Sequence, residues 1–197
     1  AVNFLAHALL SEPFAHSLIG NLAGDFVKGS LAASSLHPRV VDGVRRHRRI
    51  DVLTDRHEGY GALRSLFPQV RRRYAGPVLD VILDYYLWRN WARCSTWNRE
   101  DFVEEVYRTL EQSTALMPPL FARAFPRLRS ADWLRAGTSL AGLERSLTRM
   151  GSRLRRPVRL QDDLPELIAE SSLESEMLRT FLSIQGQIED ARDPHSG

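Results

Sequence analysis

The sequence predicts an all-α fold, with a single helical domain over residues 1–190 and a disordered tail over residues 191–197. Three observations support this. Apolar residues recur at three- and four-residue spacing, no run of alternating β-branched residues occurs, and Pro and Gly interrupt the pattern at helix-length intervals. With 197 residues, 43% of them hydrophobic and 26% charged, the chain is long and apolar enough to bury one core.

The elements follow in order. A short helix is expected from Asn3 to Leu10, closed by Ser11-Glu12-Pro13, and a second from Pro13 through Phe26, stopped by Gly29. The third starts at His37-Pro38 and runs to about Arg64, with a break at Gly59 and Gly61. A basic segment from Leu66 to Tyr74 then meets Gly76-Pro77, read as a boundary. From Val78 to Trp91 nearly every residue is apolar, which marks a buried helix whose only charges up to Trp88 are Asp80 and Asp84. An amphipathic helix from Asp101 to Met117 ends at Pro118-Pro119, and further helices are expected over residues 131–147 and 164–182. Between these two, Gly151 to Asp163 reads as a basic loop, and the chain is expected to fray after Gln187.

Composition narrows the function. The apolar stretch from Phe4 to Leu10 is interrupted by His7 and is too short to span a bilayer. It has no basic leader, so neither a membrane span nor a signal peptide is expected, although the missing initial Met leaves the native start open. A lone Cys94 cannot form an internal disulfide and reads as a small packing residue, in keeping with a cytoplasmic location. The net charge is +3, and Lys28 is the sole lysine among 27 basic residues. The arginines cluster at Arg45-Arg46, Arg48-Arg49, Arg71-Arg72-Arg73 and Arg153/Arg155/Arg156, which suits an acidic or phosphorylated partner.

The chemistry is concentrated in His47-Arg48-Arg49-Ile50-Asp51-Val52-Leu53-Thr54-Asp55. Val40, Val44, His47, Asp51 and Thr54 form one helical stripe that begins as an apolar seam and becomes an imidazole and a carboxylate. Turning such groups inward is costly unless a cation or a partner compensates. Other helices offer His7 among apolar neighbours, Asp25 with Asn21 one turn before it, and the pair Asp80 and Asp84. Gly20 and Gly24 would let a backbone or ligand come close. The bland alternatives are a satisfied core histidine at His7 and a local hydrogen-bonded pair at His47 and Asp51. Asp80 and Asp84, one turn apart on a buried helix, repel each other and need a cation or arginines. His16, His37, His57 and His195 carry no motif. Imidazoles and carboxylates without thiolates suit Mn²⁺, Fe²⁺, Mg²⁺ or Zn²⁺ in a hydrolytic site, so metal-assisted cleavage of a phosphate ester is expected.

The same residues resemble the acyl carrier protein phosphodiesterases. The resemblance rests on Asn3-Phe4-Leu5-Ala6-His7, Gly20-Asn21-Leu22, Asp25-Phe26-Val27 with Gly29, the run from His47 to Asp55, and Leu79-Asp80-Val81 followed by Asp84. Weaker echoes are Trp133-Leu134, Met150 and Ser152-Arg153. The family pattern often places a His where this chain has Tyr85 and Asn90.

The resemblance implies a helical fold similar to the histidine–aspartate metal-dependent phosphohydrolases. It also implies hydrolysis of the bond joining 4′-phosphopantetheine to a serine of holo-acyl carrier protein, with Mn²⁺. It assigns the metal to Asp25, His47, Asp51 and Asp84, together with His7. In that scheme Asp25, His47, Asp51 and Asp80 are catalytic, with Asp80 orienting His47 or a water, while Asn21, Arg45, Arg48 and Arg49 meet the substrate. Acyl carrier proteins are acidic, so the arginines would recruit one by charge and lose that advantage in salt. Two other readings stay open: a phosphohydrolase acting on a small nucleotide, and a basic helical protein that binds nucleic acid without catalysis. The second is disfavoured because Tyr85, Trp88 and Trp91 lie on the apolar helix, away from the arginines.

Overall fold

The computed structural model describes residues 3–32, 34–68 and 71–190, and the expected tail over 191–197 lies outside the described residues. Among the described residues the chain is all-α, without strands. The order is α1 (Phe4–Leu9), α2 (Ala15–Leu22), a 3-10 turn (Gly24–Phe26), α3 (Pro38–Arg56), α4 (Glu58–Ser65), α5 (Ala75–Arg89) and α6 (Trp91–Cys94). It continues with α7 (Arg99–Gln112), α8 (Pro119–Ser130), α9 (Leu140–Ser152), α10 (Leu164–Ala169) and α11 (Leu173–Asp190).

Several helix starts are written in the local sequence. His37 caps α3 by accepting from the Arg39 N–H, with Pro38 in the first turn where a missing N–H is harmless. Asn98 caps α7 through the N–H groups of Glu100 and Asp101. Ser139 does the same for α9 through Gly142.

Several boundaries differ from the sequence reading; α2 ends at Leu22 and α7 at Gln112, short of the expected Phe26 and Met117, while α9 and α11 run on to Ser152 and Asp190, past the expected Leu147 and Gln187. The break after α3 falls at His57, not at the glycines, because the extended His57 accepts from Gly59 N–H and starts α4 as its cap. Gly76-Pro77 does not end a helix; Pro77 sits in the first turn of α5, where proline is tolerated. Residues 131–138 are turns rather than the start of a helix, and an additional helix, α8, precedes them with Pro126 inside it. The stretch from Leu164 to Leu182 splits into α10 and α11 around Glu170 to Ser172.

α5 is the centre of the fold. It is buried from Val78 to Leu87 and packs against α1, α4, α9 and α11. Its residues belong to one continuous core that also takes in Leu5, Ile19, Val40, Tyr60, Tyr107, Phe121, Leu143 and Phe181. No helix among the described residues is long and apolar enough to cross a membrane. Cys94 is buried, as a packing residue would be, and burial pushes its thiol up to about 11.

The closest helix contact is between α2 and α3. Gly20 and Gly43 face each other, and a Cβ built on Gly43 would lie 2.8 Å from the Gly20 Cα and 2.7 Å from the Ser17 carbonyl oxygen. Here the sequence expectation of close approach is met by a second backbone. Gly43→Val should therefore force the helices apart. We expect about 3 kcal/mol lost from the free energy of urea unfolding.

Candidate metal centre

The stripe on α3 faces inward as its spacing predicts: Val40, Val44, His47 and Thr54 are buried and Asp51 is partly so. α1 brings His7 to the same place, and the two imidazole rings stack with centroids 4.1 Å apart. Gly24 makes room for this, since a methyl group there would overlap the His47 ring.

Asn21 on α2 holds both rings. Its Nδ2 donates to the His7 carbonyl at 2.8 Å and to Ser11 Oγ at 3.0 Å, which leaves Oδ1 facing His7 Nδ1 at 2.8 Å. An amide oxygen only accepts, so the His7 proton sits on Nδ1. The main-chain carbonyl of Asn21 lies 2.8 Å from His47 Nδ1 and fixes that tautomer by the same logic. Both Nε2 lone pairs consequently point at Asp51. His7 Nε2 is 3.3 Å from Oδ1, and His47 Nε2 is 3.2 Å from Oδ2. Asp25 Oδ1 approaches His47 Nε2 at 3.6 Å, from the 3-10 turn after α2. Asp25 and Asp51 each keep 35% of their side-chain surface exposed, so the centre opens to solvent on the carboxylate side.

Lone pairs facing carboxylate oxygens repel unless something positive lies between them. Either a proton or a metal ion can play that part. One ligand atom from each of His7, His47 and Asp51 falls within 4.8 Å of the others, which is close enough for one ion. His7 Nε2 is buried and makes no hydrogen bond, as a ligand nitrogen reserved for a cation would. The residues fit a divalent metal.

Charge states follow from this geometry. Burial works against a charged His47, but hydrogen bonds to Asp25 and Asp51 prevail and raise it to about 9. Burial also opposes ionisation of Asp51, yet contact with His47 and His7 takes it well below the usual carboxylate range. Asp25 is lowered as well, its burial outweighed chiefly by His47. His7 is lowered by burial and by the neighbouring imidazole.

The remaining candidates lie elsewhere. Asp84 does not join the ligand group: its two oxygens accept from the Leu5 and Ala6 N–H groups at 3.1 and 3.0 Å, pinning the start of α1. Asp80 does not orient His47, a role Asn21 fills, and instead accepts from the Tyr60 hydroxyl. Burial pushes Asp84 up to about 8 and Asp80 up to about 6. Asn21 is fully buried with its amide committed, so it supports the imidazoles rather than meeting substrate.

Arg45 and Arg49 are exposed, two residues either side of His47 and thus on the opposite face of α3. Arg45 pairs there with Asp42. Arg48 donates to the carbonyls of Val27 and Gly29, bracing the segment that follows Asp25. Neither Tyr85 nor Asn90 reaches the centre: Tyr85 contacts Arg89, and Asn90 donates to Tyr86 and Glu174. The supporting role of Asn21 was missed in the sequence. Its signal was an amide in the buried run Ile19-Gly20-Asn21-Leu22.

Comparison with known proteins shows the family. The family model described as acyl carrier protein phosphodiesterase matches residues 2–184. The chain belongs to the acyl carrier protein phosphodiesterase family. Among relatives carrying that name, one from Escherichia coli O157:H7 (strain EC4115 / EHEC) is 35% identical over 192 residues, covering 94% of this chain and 97% of the relative. Another, from Enterobacter sp. (strain 638), is 36% identical over 168 residues, covering 84% and 86%. A third, from Serratia proteamaculans (strain 568), is 34% identical over 153 residues, covering 77% and 79%. No solved structure matches the chain.

The raised His47 sets a pH dependence in the family member described here. In chelator-treated protein the folded state holds a proton that the unfolded chain releases near pH 6.5, so His47 stabilises fully below that value and progressively less up to about 9. Asp84, raised from 3.8 to about 8, also makes stability fall with rising pH, but its contribution ends near pH 8. We expect the urea midpoint to drop between pH 6.5 and 9, and His47→Gln to remove the part of the drop above pH 8. Asn21→Ala should also weaken Mn²⁺ binding, read by titration calorimetry, by about 10- to 100-fold, as loss of ligand-orienting groups does.

Proposed function

We propose that this protein is a metal-dependent phosphodiesterase that hydrolyses the bond between 4′-phosphopantetheine and the carrier serine of holo-acyl carrier protein, giving apo-carrier and free 4′-phosphopantetheine. The observation that carries this reading is the convergence of His7, His47 and Asp51, from helices far apart in sequence, in a member of a family named for that reaction. His7, His47 and Asp51 would hold the ion, with Asp25 beside them, and the donor set of imidazoles and carboxylates suits Mn²⁺. Bound there, a divalent ion supplies Lewis acidity to a phosphoryl oxygen and lowers the pKa of water.

The chain's own residues do the rest. Asn21 keeps both Nδ1 atoms protonated, which leaves each Nε2 as a donor lone pair throughout turnover. The ionised Asp25 would accept a hydrogen bond from a water and orient it toward phosphorus. Arg48 steadies the carbonyls of the segment behind Asp25. Tyr60 and Asp80 form a buried pair beside the centre, and the Asp84 carboxyl holds α1 so that His7 stays in position.

Mass spectrometry of holo-carrier incubated with the protein tests the proposal directly. A mass loss matching phosphopantetheine is expected with Mn²⁺ and not with chelator. Asp51→Ala should reduce the rate by about 1000-fold, the effect of losing several kcal/mol of charge stabilisation, while its helical circular dichroism matches the parent. Full turnover by Asp51→Ala would overturn the assignment, and nucleotide hydrolysis in place of carrier cleavage would redirect it to a small substrate.

A further inference from the structure

Between α5, the turns over residues 131–138 and α9 lies a cavity of about 390 Å³. Its walls are mainly apolar, formed by Phe4, Val81, Leu128, Trp133 and Met150. Trp133 stacks on Phe4 at 4.7 Å, and its buried indole N–H has no acceptor among the described residues. Arg145, Arg149 and Arg153 also border the cavity. They are four residues apart, so they form a row on one face of α9 and its C-terminal cap.

All three of these arginines are exposed, and none has an acidic partner among the described residues. Several arginines elsewhere are paired: Arg135 bridges Glu100, Glu104 and Asp132, Arg71 pairs with Asp163, and Arg46 with Glu12. Like charges one turn apart disfavour a helix, and a bound anion would relieve that repulsion.

Two chains of side chains link the cavity to the elements that carry the metal centre. Phe4 precedes His7 by one turn on the same face of α1. Phe26, next to Asp25, packs on Phe121 at 5.2 Å, and Phe121 stacks on Trp133 at 5.7 Å.

We infer that this face is where the holo-carrier docks: the row Arg145, Arg149 and Arg153 meets the acidic carrier surface, and the cavity receives the pantetheine end of the arm beyond the cleaved phosphate. The inference rests on the phosphodiesterase reading above. The occupant is matched on both counts. The carrier is anionic, and its arm is a largely aliphatic chain with amide carbonyls, suited to apolar walls with an unused N–H among them.

The test compares kinetics with Mn²⁺ present. The readouts are KM for holo-carrier and the inhibition constant of apo-carrier, which lacks the arm. Replacing Arg145, Arg149 and Arg153 together by Glu should raise both constants more than tenfold. Gly137→Leu addresses the cavity separately: a Cβ at this lining residue meets nothing closer than the Val81 carbonyl at 3.7 Å, so the longer side chain can fill the space. It should raise KM for holo-carrier about tenfold and leave apo-carrier inhibition as it was. If the triple variant does not give the parental circular dichroism, Arg149→Glu alone carries the charge arm, with about a threefold rise expected in both constants. Unaltered constants in a charge variant, with the parent active, would overturn the docking face and leave the phosphodiesterase reading standing. An unaltered KM in Gly137→Leu would overturn the arm's place in the cavity. Failure of the parent to release phosphopantetheine would overturn both the inference and the reading beneath it.

Discussion

The buried amide of Asn21 is the interaction on which the centre depends. One residue serves two imidazoles, one through its side chain and the other through its main-chain carbonyl, and in each case only an N–H can face it. That choice determines where the lone pairs go. Without it, His7 and His47 could each turn a protonated edge toward Asp51, and the cluster would be an ordinary hydrogen-bonded group rather than a ligand set. Asn21 can reach both rings because α2 and α3 touch backbone to backbone at Gly20 and Gly43, bringing its carbonyl within reach of His47.

Four aspartates in and around the centre divide by environment. Asp25 and Asp51 face imidazoles and solvent, and both stay ionised. Asp80 and Asp84 sit deep on α5, where burial favours their neutral forms. The repulsion expected between two carboxylates one turn apart is therefore eased without a metal or an arginine. Tyr60 and two backbone N–H groups satisfy their oxygens instead. Sequence position makes these residues look alike, and only their surroundings separate the candidate centre from the scaffold.

Much of this was legible in the sequence. The stripe from Val40 to Thr54 is a matter of 3.6-residue periodicity, and it placed His47 and Asp51 correctly on the inner face of α3. The buried character of α5 was equally plain from its unbroken apolar run. What stayed hidden depended on partners distant in sequence. Asp84 looks like a ligand until Leu5 and Ala6 are known to lie against it, and nothing local shows that Arg48 turns toward Val27 rather than outward. Boundaries differ where the His57 cap overrides the glycines of α4 and where Pro77 is absorbed into the first turn of α5. The fragments Trp133, Met150 and Arg153, which carried only a faint family echo, turn out to border one cavity.

The tether between Asp84 and α1 has a consequence for the order of assembly. A six-residue helix is too short to persist alone, so α1 takes its place only when something clasps its first turn. That clasp lies 79 residues downstream of Leu5. As the polypeptide leaves the ribosome, His7 emerges before α5 and has no anchorage until α5 has also been synthesised. The candidate centre is thus incomplete until the central helix has been made and has docked.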